Sequence, residues 1–137
     1  MGRVLGLDPG TRRCGVALSD SARTMAFPRE ALSVDDDLLG AVIELVAQEG
    51  VDEVVVGRPL SLAGATTAST ALADELARRL VLALAPVPVY AQDERLTTVQ
   101  AQRSLSGAGH RAREQRARID SAAAVVMLES YLEAGRA

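Results

Sequence analysis

Three consecutive β-branched residues, Val54-Val55-Val56, place the strongest constraint on how this chain can fold. A short run that is apolar at every position is typical of a strand buried on both faces, as in a parallel sheet. Apolar residues at helical spacing precede the run over 35–49, and a second long helical segment follows it over 66–84. A buried strand between two helices predicts an α/β fold with helices on the faces of the sheet.

The amino-terminal third of the chain favours three strands in succession. We expect strands over 3–7 and 15–19, joined as a hairpin, and a third strand over 24–32. Pro28 places that third strand at a sheet edge or a bulge, because proline cannot donate to the ladder. Further predicted elements are strands over 52–57 and 87–91 and helices over 97–106 and 118–134. This order predicts a mixed five-stranded sheet, antiparallel first and parallel later, flanked by helices.

The size of the chain fits one compact domain that covers 1–137. Hydrophobic residues make up 48% of it, which is enough for a substantial core. The single cysteine, Cys14, excludes an internal disulfide, and we expect it to be a small buried side chain. The sequence shows no secretory signal and no apolar run of 18 or more residues. We therefore expect a cytoplasmic protein without a membrane span.

The charge of the chain is unevenly distributed. A net charge of −3 disfavours non-specific binding to nucleic acid. Between 103 and 118, however, five arginines and one acid leave a local charge of +4. Such a segment in an acidic chain predicts contact with a phosphate backbone, and the alternative is an ordinary solvated loop. The segment contains no aromatic residue, so we do not expect it to recognise single-stranded bases by stacking.

Acidic residues follow the first and the last predicted strands. Asp8 comes directly after the first strand, Asp93-Glu94 follow the last, and Asp120 lies at the start of the final helix. Ligand sites in open α/β sheets lie beyond the carboxyl ends of the strands. Carboxylates that converge there repel one another unless a cation binds, and oxygen ligands suit Mg²⁺ or Mn²⁺. Taken singly, each acid has an ordinary alternative role as a turn former, a solvated loop residue or a helix-start acid.

Four stretches of the sequence, in order, match the motifs of one known family. On these motifs the chain resembles the YqgF family of RuvC-like proteins, whose members are described as pre-16S rRNA nucleases or Holliday junction resolvases. The resemblance spans nearly the whole chain, with two departures: Arg58 replaces a usually apolar residue, and Arg116 stands where lysine is common. The matching stretches are 7–17, which begins Leu7-Asp8-Pro9-Gly10-Thr11, Gly57-Arg58-Pro59-Leu60 with Gly64, 93–98, and 119–124.

The resemblance implies an RNase H-like fold and the hydrolysis of phosphodiester bonds. It implies that Asp8, Glu94 and Asp120 are the catalytic carboxylates and hold two divalent ions, Mg²⁺ or Mn²⁺, with Asp8 between the ions. The expected substrate is structured nucleic acid, in the first place precursor 16S rRNA and alternatively a Holliday junction. The arginines expected to contact phosphates are Arg12, Arg13, Arg95, Arg111, Arg113 and Arg116.

Two other classes of function stay open. Asp8-Pro9-Gly10-Thr11 also resembles the first phosphate motif of ATP-binding sugar-kinase and actin-like domains, although those proteins close two such domains around a nucleotide. The other class is a catalytically silent nucleic-acid-binding or assembly factor. The sequence does not separate RNA from DNA substrates. Resolving a junction requires two active sites, so a homodimer is the default assembly that we expect.

Overall fold

The structure is a computed structural model that describes residues 2–94 and 112–136, with side chains over 2–94 and 121–135. Within these ranges, no helix has the length and apolar character needed to cross a bilayer. The strands are β1 (Arg3–Pro9), β2 (Arg13–Ser19), β3 (Ala26–Ser33), β4 (Val51–Arg58) and β5 (Val89–Asp93). The helices are α1 (Leu38–Glu49), α2 (Ala68–Leu84) and α3 (Ala112–Arg136).

The five strands form one mixed sheet in the order β3-β2-β1-β4-β5. β2 pairs antiparallel with both β1 and β3, whereas β4 pairs parallel with both β1 and β5. The predicted mixed five-stranded sheet is therefore confirmed, and β3 is an edge strand, as Pro28 indicates. Because β1, β4 and β5 run parallel, their carboxyl ends lie side by side at one end of the sheet.

Both faces of the sheet are covered, which explains the continuous valine run of β4. Val54 and Val56 pack in a core with residues of α1 and α2. Val55 packs on the other face against Met127 and Leu128 of α3. Each of these three valines is at most 1% exposed, so each contributes about 1.5–3 kcal/mol through burial. Since side chains alternate along a strand, every second residue of β1, β4 and β5 faces α3.

Side-chain caps set the starts of the first two helices. The Asp37 carboxylate accepts a hydrogen bond from an N–H of the first turn of α1. At the start of α2, Thr67 and Thr70 bond reciprocally through their hydroxyls and backbone N–H groups. Both helices consequently begin two or three residues after the predicted positions 35 and 66. Gly50 ends α1 with a φ of 63°, which confirms the predicted stop.

Two other predicted boundaries are also wrong. β5 lies at Val89–Asp93 rather than at 87–91, because the Val87 N–H donates to the Leu84 carbonyl oxygen (2.8 Å) in a turn. α3 begins at Ala112, six residues before the predicted start, so 112–114 are helical rather than part of the basic loop. Alanine, arginine, glutamate and glutamine are strong helix formers, which accounts for the earlier start. The helix predicted over 97–106 lies outside the described residues.

Candidate active site

Asp8 lies near the carboxyl end of β1, the central strand of the sheet. It pairs across the antiparallel ladder with Gly15 of β2. Alternation along the strand places Asp8 on the same face as Val4, which packs against α3. The carboxylate is therefore directed to the face that α3 covers, at the end of the sheet where ligand sites occur.

Glu94 follows β5 directly and reaches the same face. Its backbone N–H donates to the Arg58 carbonyl oxygen (3.3 Å), which extends the pairing with β4 by one step. The side chain is only 7% exposed. By alternation it lies on the same side of the sheet as Tyr90, whose ring stacks on that of Tyr131 in α3, with the ring centres 6.4 Å apart. Asp8 and Glu94 therefore face the same side from two strands that β4 separates.

The carboxyl groups of Asp8 and Glu94 lie close enough to influence each other's pKa, and a hydrogen bond between two carboxyl groups requires that one of them carries a proton. Burial raises the pKa of Glu94 to about 10, and the hydrogen bond with Asp8 and the charges of Asp8 and Asp93 add to this rise. Burial also raises the pKa of Asp8, against the lowering effect of its hydrogen bond with Glu94. Without a cation, the pair therefore retains a proton at neutral pH.

The donor chemistry of this pair fits a hard divalent cation. A cation that replaced the shared proton would find carboxylate oxygens already in contact, and such oxygens are the ligands that Mg²⁺ and Mn²⁺ prefer. Among the side chains that the structure describes, no group of three His, Cys, Asp or Glu lies close enough to hold a metal ion. The side chain of Asp120 lies outside the described ones, so the three-carboxylate site stays a prediction.

A buried serine next to Asp120 fixes α3 against the sheet. The pairing of β2 with β3 shifts register beside Val16, which leaves a bulge. The Ser121 hydroxyl accepts the Val16 N–H (3.0 Å) and donates to the Arg29 carbonyl oxygen (2.7 Å). Val16 follows the cross-strand partner of Asp8, so the backbone at 120–121 is held near Asp8. The sequence analysis missed this role, because a single serine in a helical pattern carries no signal of its own.

Cys14 precedes the cross-strand partner of Asp8, lies in the core layer of α1 and α2, and is chemically quiet. Its side chain is fully buried, which confirms the expectation of a small core residue. Burial and the charge of Asp8 raise the pKa of the thiol to about 12, with a further contribution from Glu94. The thiol is therefore neutral at physiological pH and a poor nucleophile or metal ligand.

The structure describes the side chains of two of the six arginines predicted to bind phosphate. Arg12 lies in the turn between β1 and β2, and Arg13 begins β2. Both are exposed, and a hydrogen bond from the Gly10 N–H to the Arg13 carbonyl oxygen (3.0 Å) closes this turn. The turn lies at the same end of the sheet as Asp8. Of the other four, Arg113 and Arg116 belong to α3, where the structure describes their backbone but not their side chains. Arg95 and Arg111 lie outside the described residues.

Arg58 is the middle residue of Gly57-Arg58-Pro59, the stretch that resembles the family's Gly-x-Pro motif, and it lies on the other face of the sheet. Its guanidinium donates to both carboxylate oxygens of Asp74 on α2, at 2.9 and 3.2 Å. Alternation places it with Val54 and Val56, in the layer of α1 and α2. The replacement therefore leaves the face of Asp8 and Glu94 unaltered.

Comparisons with known proteins give matches over nearly the whole chain. A family model described as "RuvX: Holliday junction resolvase" matches residues 2–134. A relative from Mycolicibacterium paratuberculosis named "Putative pre-16S rRNA nuclease" is 50% identical over 138 residues, which cover 99% of this chain and 83% of the relative. Relatives of the same name from Mycobacterium leprae and Mycobacterium tuberculosis are each 48% identical, with 99% and 96% of this chain and 75% and 79% of the relative covered.

Solved structures of RuvC from Thermus thermophilus share the fold. One is 20% identical with a TM-score of 0.58, and the match covers 98% of this chain and 96% of that protein. RuvC in complex with a Holliday junction substrate is 19% identical with a TM-score of 0.54, and the match covers 98% and 97% of the two chains. At these identities the likeness concerns the fold alone, and it confirms the RuvC-like fold expected from the sequence.

Proposed function

The chain belongs to the RuvX family, and from this premise we propose that it is a divalent-metal-dependent nuclease acting in the cytoplasm on structured nucleic acid, chiefly precursor 16S rRNA. Relatives that match nearly the whole chain are named pre-16S rRNA nucleases. The observation that carries the proposal is the buried contact between Asp8 and Glu94 at the carboxyl end of the sheet. Two acids held together at a ligand-binding end of an α/β sheet are suited to a cation.

The three proposed metal-binding carboxylates come from three different parts of the fold. Asp8 of β1, Glu94 after β5 and Asp120 of α3 are proposed to supply oxygen ligands, with Asp8 shared because it comes from the central strand. Bound Mg²⁺ or Mn²⁺, two ions in our proposal, supplies an activated water at neutral pH and neutralises charge on the phosphate. The burial of Glu94 keeps bulk water from its carboxylate, which strengthens every electrostatic interaction there.

The arginines at this end of the sheet are proposed to hold the substrate backbone. Arg12 and Arg13 are exposed in the turn that follows Asp8, within reach of a phosphate next to the cleaved bond. Further along the substrate we assign phosphate contacts to Arg95, Arg111, Arg113 and Arg116. These contacts would give binding that is insensitive to base sequence and sensitive to salt.

A four-way DNA junction is the second candidate substrate. The description of the matching family and the fold shared with RuvC favour it. Symmetric cleavage of a junction needs two active sites, so this alternative predicts a homodimer. A monomer in solution would favour the RNA substrate.

The test is a cleavage panel with the purified chain. Its substrates are a precursor 16S rRNA fragment, single-stranded RNA, duplex DNA and a four-way DNA junction, each with Mg²⁺, Mn²⁺ or chelator. We expect metal-dependent cleavage that is strongest on the precursor rRNA. Asp8→Asn is the inactive control, and Asp52→Asn, at the opposite end of the sheet, is the matched acidic variant that should stay active.

Each outcome of the panel decides between the alternatives. Cleavage of the four-way junction and of no other substrate would indicate a Holliday junction resolvase. Metal-dependent binding without cleavage on any substrate would indicate a non-catalytic factor. Hydrolysis of ATP in place of nucleic acid would favour a nucleotide-binding domain.

A further inference from the structure

Gly57 lies on β4 between the two strands that carry Asp8 and Glu94. Leu7 of β1 pairs with Val56, so Asp8 lies beside Gly57 one step further along the ladder. On its other side Gly57 pairs with Gln92, two residues before Glu94. Because Val55 packs against α3, alternation places Gly57 on the face that Asp8 and Glu94 share.

The two carboxylates can meet only by crossing β4. Neighbouring strands are about 4.8 Å apart, so the backbones of Asp8 and Glu94 start on the order of 10 Å from each other. The carboxylate of Glu94 lies directly over Gly57. A Cβ atom on residue 57 would lie 2.4 Å from Cδ of Glu94, and 2.5 and 2.8 Å from its two carboxylate oxygens. Any side chain at residue 57 would therefore force Glu94 out of this position.

Backbone conformation does not explain the glycine. Among the described residues, the glycines with positive φ are Gly50 and Gly64, whereas Gly57 lies within a strand whose conformation any residue adopts. A glycine inside a strand lowers stability, and it often marks a place where another group approaches closely. The group that approaches here is the Glu94 carboxylate.

We propose that Gly57 is a positioning residue, whose missing side chain gives Glu94 the room to cross β4 and share a cation with Asp8. That Asp8 and Glu94 share a cation rests on the proposed function. That a side chain at residue 57 would displace Glu94 rests on the structure alone. The close approach of Glu94 gives a physical reason for the glycine of the Gly57-Arg58-Pro59 motif.

The experiment is a double-mutant cycle of Gly57→Ala with Glu94→Ala, read by the rise in melting temperature between chelator and 10 mM Mn²⁺. For a dissociation constant of about 1 mM, wild type should gain on the order of 5 °C. Gly57→Ala should lose most of this gain, and the double variant should respond no less than Glu94→Ala alone, because the clash has been removed. Gly6→Ala is the matched control, since its Cβ would meet Leu128 at 3.1 Å and not an acid. It should keep the full gain.

A crystal structure of Gly57→Ala in chelator gives the second readout. We expect the Glu94 carboxylate beyond hydrogen-bonding distance of Asp8. Retention of that contact, or a full Mn²⁺ response in Gly57→Ala, would overturn the proposal. If wild type itself shows no Mn²⁺ response while Glu94 is displaced in the variant, the steric role stands and the proposed metal-dependent function fails. If Gly57→Ala does not fold, the double variant should fold, and its failure would show that residue 57 needs glycine for another reason.

Discussion

Acidic residues lie at both ends of this sheet, and the groups around them differ. At the amino end of β1 and β4, Arg23 donates to Asp52, to Glu53 (3.2 Å) and to the Gly2 carbonyl oxygen (3.0 Å). The Tyr131 hydroxyl donates to the second oxygen of Glu53. At the carboxyl end, the group that the Asp8 side chain meets is another carboxylate.

The two ends consequently shift their acids in opposite directions. At the amino end, burial acts to raise the pKa of Asp52, but hydrogen bonds from Gly2 and Arg23 and the charge of Arg23 lower it overall. At the carboxyl end, burial and neighbouring carboxylates raise the pKa of Glu94 to about 10. The amino end neutralises its acids within the chain and serves stability. The carboxyl end holds acids together at a cost in stability, which is the arrangement expected of a cation site.

The largest expected difference between the ends is in catalysis. Asp8→Asn, Glu94→Gln and Asp120→Asn should each reduce cleavage by roughly 10³-fold or more, because the ligands act as a unit. For the same reason, double variants should lose little beyond the single ones. At the amino end, Asp52→Asn should keep near-native rates. Single-turnover cleavage with each purified variant is the measurement.

The control in this series is folding, followed by circular dichroism for every variant. A carboxylate variant that folds and cleaves at the wild-type rate does not belong to the site. A large loss of cleavage activity in Asp52→Asn would mean that acids at the amino end of the sheet also affect catalysis.

The second difference is in stability and points the other way. Arg23→Ala removes a guanidinium that satisfies two acids and a carbonyl, and its side chain is 24% exposed. Since Asp52 is half exposed, we expect a loss of about 1.5 kcal/mol in the free energy of unfolding, the low end for charged hydrogen bonds. Urea titration measures this loss, and Arg12→Ala, in an exposed turn, is the control that should change little. Equal effects of the two substitutions would remove Arg23 from its structural role.

Sequence reasoning predicted the fold better than the site. The continuous valine run of β4 predicted a strand that is buried on both faces. Pro28 predicted that β3 lies at an edge of the sheet, because proline has no N–H to donate to a neighbouring strand. Asp8 and Glu94 are predicted as site residues from their places at predicted strand ends and from the family motifs. Their contact over Gly57 and the Ser121 bridge into the bulge depend on register across strands, which no spacing along the chain reveals.

The third difference appears in the pH dependence of the metal-free protein. A folded pKa of about 10 for Glu94, raised from its ordinary 4.5, contributes stability that is complete below pH 4.5 and is lost as pH rises towards 10. In chelator, the melting temperature of wild type should therefore fall between pH 5 and pH 9. In Asp8→Asn, which lacks the like-charged neighbour, the pKa of Glu94 should rise less, so the fall in melting temperature should be smaller.

Thermal melts of both proteins in chelator across this range provide the test, and addition of Mn²⁺ provides its control. Mass action should stabilise wild type in 10 mM Mn²⁺ by roughly 1.4 kcal/mol for a dissociation constant of about 1 mM, and Asp8→Asn much less. A metal-free Asp8→Asn whose melting temperature falls as steeply as that of wild type between pH 5 and pH 9 would show that Asp8 does not contribute to the raised pKa of Glu94.

The smallest expected effect comes from Asp20, in the exposed turn that follows β2 at the amino end. The Thr24 hydroxyl (2.7 Å) and the N–H groups of Met25 (3.1 Å) and Thr24 (2.7 Å) donate to its carboxylate and lower its pKa to about 2. A lowered folded pKa contributes stability that is present above the ordinary value of 3.8 and is lost as pH falls towards 2. Asp20→Asn should therefore melt slightly below wild type at pH 6, and the two melting curves should converge near pH 2. This sign is opposite to the one expected for Asp8→Asn, whose melting temperature in chelator should rise relative to that of wild type as pH rises. A gap between Asp20→Asn and wild type that widened in acid would show that the acids at the two ends do not differ in the way that their hydrogen bonds indicate.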